Sequence, residues 1–532
     1  MRTRYLLLLL VMGGTVLLLN LGGRDLWEPD ETRYAVIAKE MRESGNWILP
    51  HLNGQIYAEK PPLFFWLVNL STSLFGNTEF ANRLPSALAG LITVLVTFLL
   101  GERLFNANVG FLSGLVLANS FFFPQISRWM MLDSLFTLFS LLTVLFFYQG
   151  YKKDEGRRLH YLLAGMFMGL GVLTKGPIAY LPIPVFLILG FFEKDVKRFW
   201  NRDLLWGFLL SLAVALIWVI PACLTGGEDY ARKILFGQAV GRLAGNGKHI
   251  HPEPFYFYLV RFPLDFLPWT AFLAAAFFLG FQERKEKRKE CLLLFIWSVS
   301  VFLFFTFSTG KKDNYILPLY PAASMLVGRW FCSTFETGER LRRIGIPLGA
   351  ITLFFLCILI LILLRPSGWI PRRVEGYLAF GIWPLIFIVS GGFLSCIFLI
   401  KRWGPLSLYP LIVASIISQV YLAIAIPRQL NESQSVRPFS RQILRRVAPG
   451  EELKIWKFQS TGLLYYTGRS IEQIKRRDRL IEVLSGPQRV FLVVEEEDFI
   501  GLKRFIGNEL LHPVERAKGG HQRLLLFSNQ AG

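Results

Sequence analysis

Charge is scarce in this chain, and acid is scarcer than base. Of 532 residues only 18% are Asp, Glu, Lys or Arg, divided into 38 acidic and 58 basic, with six histidines and five cysteines. So little charge beside 53% hydrophobic residues excludes a disordered or fibrous chain. The cysteines, Cys223, Cys291, Cys332, Cys357 and Cys396, show no CxxC spacing and fall mostly within apolar runs, so neither a disulfide framework nor a zinc site is implied. There is no Walker loop and no GxGxxG ahead of a helix, which excludes a recognisable nucleotide site and leaves the substrate to carry the energy. A net charge of +20 would suit nucleic acid if it formed a patch on a soluble domain. Here the basic residues sit between long apolar runs, which points to a membrane instead.

A bilayer core about 30 Å thick takes roughly 20 apolar residues per helix. About thirteen runs approach that length, with cores beginning near Tyr5, Leu84, Val109, Leu132, Tyr161, Ile178, Leu204, Leu264, Cys291, Tyr315, Ile344, Tyr377 and Leu406. Lys175, Gly176 and Pro177 split one long stretch in two. The first run, after Arg2 and Arg4, resembles a signal peptide without a small-residue cleavage site and reads as a retained anchor. Alternate loops hold the cations: Arg2 and Arg4; Lys152, Lys153, Arg157 and Arg158; Lys194, Lys197, Arg198 and Arg202; the 284–289 run; and Arg340, Arg342 and Arg343. Those loops are cytoplasmic by the positive-inside rule. An odd number of spans then puts everything after the last one outside, in the periplasm of a bacterial inner membrane.

Two external loops are long, about 23–83 and 224–263, and function belongs there. In the first, Thr32 to Arg42 reads as a short helix capped by Thr32, with Tyr34, Ile37, Ala38 and Met41 as its apolar stripe. Pro61 to Phe75 is apolar but too short to span and should lie in the interface. Beyond about Arg428 charge rises, and alternating runs at Leu453–Trp456, Leu463–Tyr466 and Arg489–Val494 suggest a small α/β domain. The expected division is a transmembrane catalytic domain, 1–430, and a periplasmic α/β domain, 431–532.

Polar residues gather at the outer face. Glu28, Asp30 and Glu31 with Arg33 follow the first span; Asp30 is a candidate base or partner for a cation, and the bland alternative is that Asp30 and Glu31 cap a surface helix and pair with Arg33. Tyr57, Glu59 and Lys60 precede two prolines, and Lys60 suits a phosphate or else snorkels. Asp133 at a span's end is costly unless paired and is a functional candidate by default; an ion pair with Arg128, or capping of its own helix, is the structural alternative. Arg242, Lys311 and Lys312 join Arg33, Lys60 and Arg128 on the side where cations are disfavoured, so they are candidates for binding a phosphate headgroup; scattered contacts with lipid are the bland alternative. Glu59 and His251 are candidate ligands for a divalent ion, although two distant ligands form no spacing signature.

The stretches WEPDETRYAVIAKEM, YAEKPPLFFWL, SRWMMLDSLFT, LGVLTKGPIAYLP, HPEPFYFYL and KKDNYILPLYP, colinear over about residues 1–430, resemble the glycosyltransferase 39-type, polyprenyl-phosphate-sugar-dependent GT-C enzymes, and most of all the bacterial lipid A aminoarabinose transferases. The resemblance implies an all-α polytopic GT-C fold of about thirteen spans with a small C-terminal α/β periplasmic domain. It implies a donor such as undecaprenyl-phosphate-4-amino-4-deoxy-L-arabinose, a lipid A acceptor, and membrane lipids rather than nucleic acid as surroundings. It carries over Asp30 and Asp133 as the functional acids. Arg33, Tyr34, Tyr57, Lys60, Arg242 and Tyr315 are carried over as ligands of the lipid-linked phosphate and sugar, and Glu59 as a metal ligand. Where the family has a histidine before Arg242 this chain has Gly237 and Gln238, and His251 is the nearest substitute. Within the enzyme class the rival is another sugar, such as galacturonic acid or mannose, moved to lipid A or protein, and a transporter or flippase of lipid-linked substrates is the rival from another class. Against the flippase, polar residues concentrate on one face and no charged path crosses the midplane.

Overall fold

In the computed structural model, residues 1–152, 155–199, 201–237, 253–282, 288–337, 340–364, 372–506, 511–520 and 522–530 are described. They divide into two compact units, one formed by Met1–Leu21, Ala58–Phe64 and Arg83–Ala423, the other by Gly22–Tyr57, Phe65–Asn82 and Ile424–Gly532.

The first unit is helical. Among the described residues seven helices are long and apolar enough to cross a membrane: Glu79–Leu104, Leu132–Lys152, Arg202–Leu235, Arg288–Phe307, Arg343–Leu363, Phe380–Ile400 and Gly404–Gln434. An eighth is reached if Phe257–Asp265 and Thr270–Phe278, bent by 110° at their junction, count as one broken span. Ala107–Asn119 and Pro177–Phe192 are shorter and apolar. The run expected from Tyr315 begins its α-helix only at Tyr320, because Asp313–Leu319, with Pro318 inside it, coils as a 3-10 helix. Pro cannot donate the backbone bond an α-helix needs there.

In an apolar solvent helices associate through close backbone approach. Arg157–Lys175 packs on Arg202–Arg232 so tightly that a Cβ on Gly165 would stand 1.9 Å from the Gly207 carbonyl oxygen. Several hydroxyls inside the helices return their protons to the preceding turn, as Thr93, Thr97, Ser113, Thr143 and Thr174 do, which satisfies those donors within their own helix. At the ends of these helices Arg157 pairs with Asp203 at 3.0 Å, and Tyr148 donates to Glu290 at 3.0 Å.

The second unit joins most of the first external loop to the C-terminal stretch. The Asp30–Ser44 helix ends on Gly45 in the left-handed region, and its stripe of Tyr34, Ile37, Ala38 and Met41 is buried as the periodicity predicts. Thr32 is not its cap; Asp30 and Glu31 occupy the first turn. Strands β1 (His51–Leu52) and β2 (Gln55–Ile56) form a hairpin whose Asn53 and Gly54 both take positive φ, the requirement of a tight primed turn. The Glu40 carboxylate accepts the N–H groups of both turn residues. The Leu63–Phe75 helix buries Phe64, Phe65 and Val68 and exposes Leu70, Leu74 and Phe75, the two-faced character expected of an interfacial helix.

Strands β3 (Glu452–Trp456), β4 (Glu472–Ile474), β5 (Val490–Glu495), β6 (His512–Gly519) and β7 (Gln522–Ser528) form one mixed sheet in the order β4-β3-β5-β7-β6. The β3 strand is parallel to β4 and β5, while β7 runs antiparallel to β5 and β6. In β5, Phe491 and Val493 join a core with Phe439, Ile443 and Leu463, while Leu492 and Val494 join one with Leu480, Leu484 and Leu502. Burial on both faces is why this strand reads as an unbroken apolar run. The Leu463–Tyr466 run differs: it lies in the helix Thr461–Thr467, capped by the Ser460 hydroxyl on the Leu463 N–H and stopped by Gly468 at φ +68°. Local capping outweighs the strand preference of its tyrosines.

Candidate functional site

In the helical unit the polar residues meet around Asp133. It stands in the first turn of Leu132–Lys152, and Lys175 stands in the last turn of Arg157–Lys175, so each charge complements the dipole of its own helix. Their side chains are 4% exposed, and Lys175 Nζ lies 2.5 Å from Asp133 Oδ1. Asn314 Nδ2 donates to Asp133 Oδ2 at 2.6 Å, so both carboxylate oxygens have donors. Three rings surround the ammonium, with centroids 4.7 Å (Tyr315), 5.1 Å (Phe136) and 5.8 Å (Phe305) from Nζ. Of the residues expected at the site, Asp133 and Tyr315 thus belong to one cluster.

Arg128 does not pair with Asp133. Its guanidinium donates to the Val16 and Leu19 carbonyls at 2.8 and 2.7 Å, satisfying groups that the end of the Arg2–Leu18 helix leaves open. Burial, with the nearby Arg83 cation, brings its pKa down to about 10. The structural alternative of an Arg128–Asp133 ion pair is therefore not what forms: a helix end takes the arginine, and a lysine from another helix takes the aspartate.

The Lys312 backbone pairs with the Tyr258 hydroxyl, which donates to its carbonyl at 2.9 Å. Lys311 is buried, donating to the Ser308 and Glu253 carbonyls at 2.8 and 3.1 Å. Arg261 bridges Asp265 at 3.2 Å and Asp313 at 2.8 Å, which fixes the turn that carries Asn314 and Tyr315. Burial raises the Asp313 carboxyl, and the Arg261 charge opposes the shift. Lys60 is buried in this same unit and Glu59 half-buried. Arg242 and His251 lie outside the described residues. Among the described residues no group of three or more His, Cys, Asp or Glu side chains is placed to hold a metal ion.

In the second unit Asp30 opens its helix and pairs with Arg33 one turn on, whose guanidinium lies 5.4 Å from the Tyr34 ring centroid. Tyr34 and Tyr57 are both buried and both pack on Phe65, with centroids 5.9 and 6.4 Å apart. The unit thus gathers Asp30, Arg33, Tyr34 and Tyr57. Glu31 is not a surface cap. Its side chain is fully buried, pairs with Arg24 at 2.8 Å and accepts the Trp27 N–H at 3.1 Å, closing the 24–31 loop on itself.

Lys175, Asn314, Arg261 and Glu31 were not singled out from the sequence as site residues. A signal existed for Lys175, a cation inside an apolar run, but its Gly-Pro neighbours read first as a helix break. Asn314 and Arg261 gave none, because only the fold brings them to Asp133 and Asp313.

A family model described as dolichyl-phosphate-mannose-protein mannosyltransferase matches residues 59–224. A relative from Aeromonas salmonicida, named undecaprenyl phosphate-alpha-4-amino-4-deoxy-L-arabinose arabinosyl transferase, is 33% identical over 433 residues, 78% of this chain and 76% of its own length. One of the same name, numbered 2, from Sodalis glossinidius is 31% identical over 506 residues, 91% and 88% of the two chains. The crystal structure of ArnT from Cupriavidus metallidurans bound to undecaprenyl phosphate superposes with a TM-score of 0.85 at 20% identity, over 100% of this chain and 99% of that one. The archaeal oligosaccharyltransferase AglB from Archaeoglobus fulgidus gives 0.56 at 12% identity, over 94% and 70%.

Helical membrane unit, α/β companion and these likenesses together define a GT-C glycosyltransferase, a multi-pass membrane enzyme that takes its sugar from a polyprenyl phosphate. Within that class the relatives are specific. The chain belongs to the family of undecaprenyl phosphate-α-4-amino-4-deoxy-L-arabinose arabinosyl transferases.

Proposed function

We propose that this enzyme moves 4-amino-4-deoxy-L-arabinose from undecaprenyl phosphate to a phosphate of lipid A at the periplasmic face of the bacterial inner membrane. The observation that carries the reading is the shared name of the relatives at 30–33% identity over most of the chain. A cationic sugar on that phosphate lowers the negative surface charge and weakens binding of polymyxin and other cationic peptides. In this reading the chain crosses the bilayer thirteen times, shorter helices such as Arg2–Leu18, Arg157–Lys175 and Tyr320–Thr337 supplying crossings beyond the longest seven. The C-terminal sheet is then periplasmic.

A polyprenyl phosphate leaves as a stabilised anion, so breaking the bond from sugar C1 to oxygen calls for cations rather than an acid. Lys60, Arg242 and Arg33 take that role. A lipid A phosphate is already an anionic nucleophile and needs no base. Asp30, paired with Arg33 at a helix start, then serves to orient the 4-amino group or to stabilise positive charge developing on the ring. Attack is direct, with inversion at C1, since no second nucleophile is assigned for a covalent intermediate. Glu59 and His251 fall short of the three protein ligands of a catalytic zinc site.

Mass spectrometry of lipid A from cells with and without the protein reads sugar, acceptor and position together. A mass increment for aminoarabinose that depends on the gene is expected, whereas a different sugar or an unmodified lipid A would overturn the assignment. Asp30→Asn and Asp133→Asn should each abolish the increment in protein that stays folded in detergent. Normal modification by both variants would remove these residues from the site.

A further inference from the structure

The segment bearing Asp30 is gripped along its length by the C-terminal stretch, inside one compact unit. The Asp25 carboxylate pairs with Arg437 at 2.8 Å, and its N–H donates to the Asn431 side chain at 3.1 Å. The Leu26 N–H donates to the Tyr466 hydroxyl at 2.7 Å. Glu28 Oε1 accepts the Gly462 N–H at 2.6 Å and the Ser460 hydroxyl at 2.8 Å. The Thr32 and Thr461 hydroxyls share a hydrogen bond of 2.6 Å. Asp30 lies between the last two anchors. Gly462 is needed for the approach: a Cβ there would stand 3.2 Å from Glu28 Cγ and Cδ and 2.3 Å from Val436 Cγ2.

A loop held by single contacts would move by an ångström or more. Four anchors within eight residues remove that freedom, and charge-assisted bonds such as those to Glu28 are the strong kind. We propose that the C-terminal α/β stretch is the mount of the Asp30 loop, and that Glu28, held by residues 460–462, is a positioning residue that sets where Asp30 and Arg33 stand. The inference rests on Asp30 acting in transfer, as proposed above. It assigns this stretch a mechanical task and requires no substrate contact from it.

The test is a rescue in the full-length enzyme, assayed by sugar transfer in detergent. Glu28→Ala should lower transfer on the order of 100-fold, the cost of about an ångström of misplacement, without a matching loss of folded protein. Glu28→Gln, which keeps the acceptor for the Gly462 N–H, should stay within about threefold of the parent. Thr32→Cys with Thr461→Cys puts two thiols where the hydroxyls now touch, and all five natural cysteines lie in the other unit. Oxidation of this pair in the Glu28→Ala background should restore transfer to within about threefold of the oxidised pair alone, and dithiothreitol should abolish the recovery. The proposal is overturned if the disulfide forms without recovery, if it does not form, or if Glu28→Ala is fully active. Asp30→Asn in the oxidised, cross-linked protein separates the two readings: full activity there would sink the role of Asp30, whatever the cross-link does.

Discussion

Replacing Lys175 by alanine isolates the physics of the Asp133 cluster. The Lys175–Asp133 pair is all but closed to solvent, so removing the ammonium strands a buried carboxylate that keeps the Asn314 amide as a donor. Breaking one side of a buried ion pair costs about 3–5 kcal/mol, because the surviving charge keeps its desolvation penalty and loses its partner. Unfolding entropy of about 2.1 cal/mol/K per residue gives roughly 0.7 kcal/mol/K for a unit of a few hundred residues, so melting in detergent should fall by about 4–7 °C. Transfer should fall at least about 100-fold, since Asn314 and Tyr315 are held through the same pair. A double variant, Asp133→Asn with Lys175→Met, buries no charge and should melt within about 2 °C of the parent while remaining inactive. The assay is a thermal melt beside a transfer measurement on one preparation. If Lys175→Ala melts with the parent, or if the double variant melts below both single variants, the ion pair is not what holds this site.

Other perturbations separate structure from chemistry. Arg128→Ala leaves two helix-end carbonyls without their charged donor and should destabilise by about 2–4 kcal/mol while KM for the donor stays unchanged; a large KM effect with an unchanged melt would instead return Arg128 to phosphate binding. Lys60→Ala should raise KM for the lipid-linked donor about tenfold or more and leave KM for the acceptor nearly unchanged, and equal effects on both would argue against a phosphate contact. Gly165→Leu, driven into the Gly207 carbonyl, should prevent the Arg157–Lys175 helix from packing and yield little folded protein; normal yield would contradict the close approach.

The sequence by itself settled what depends on composition and local spacing. The apolar runs announced a membrane protein, and the 3.6-residue stripe of Tyr34, Ile37, Ala38 and Met41 announced a buried helix face. Family motifs singled out Asp30 and Asp133 as candidates because such residues sit in recognisable strings. Partnership was the tertiary structure's decision. Arg128 and Asp133, five positions apart, turn to the end of the first helix and to Lys175, while Glu31 turns inward to Arg24 beside the partly exposed Asp30. A hydrogen bond reaches about 3 Å, and only the packing of whole helices decides which charges, dozens or hundreds of residues apart, come within that distance. The strength of a pair then depends on how much water the packing excludes, which no string of residues records.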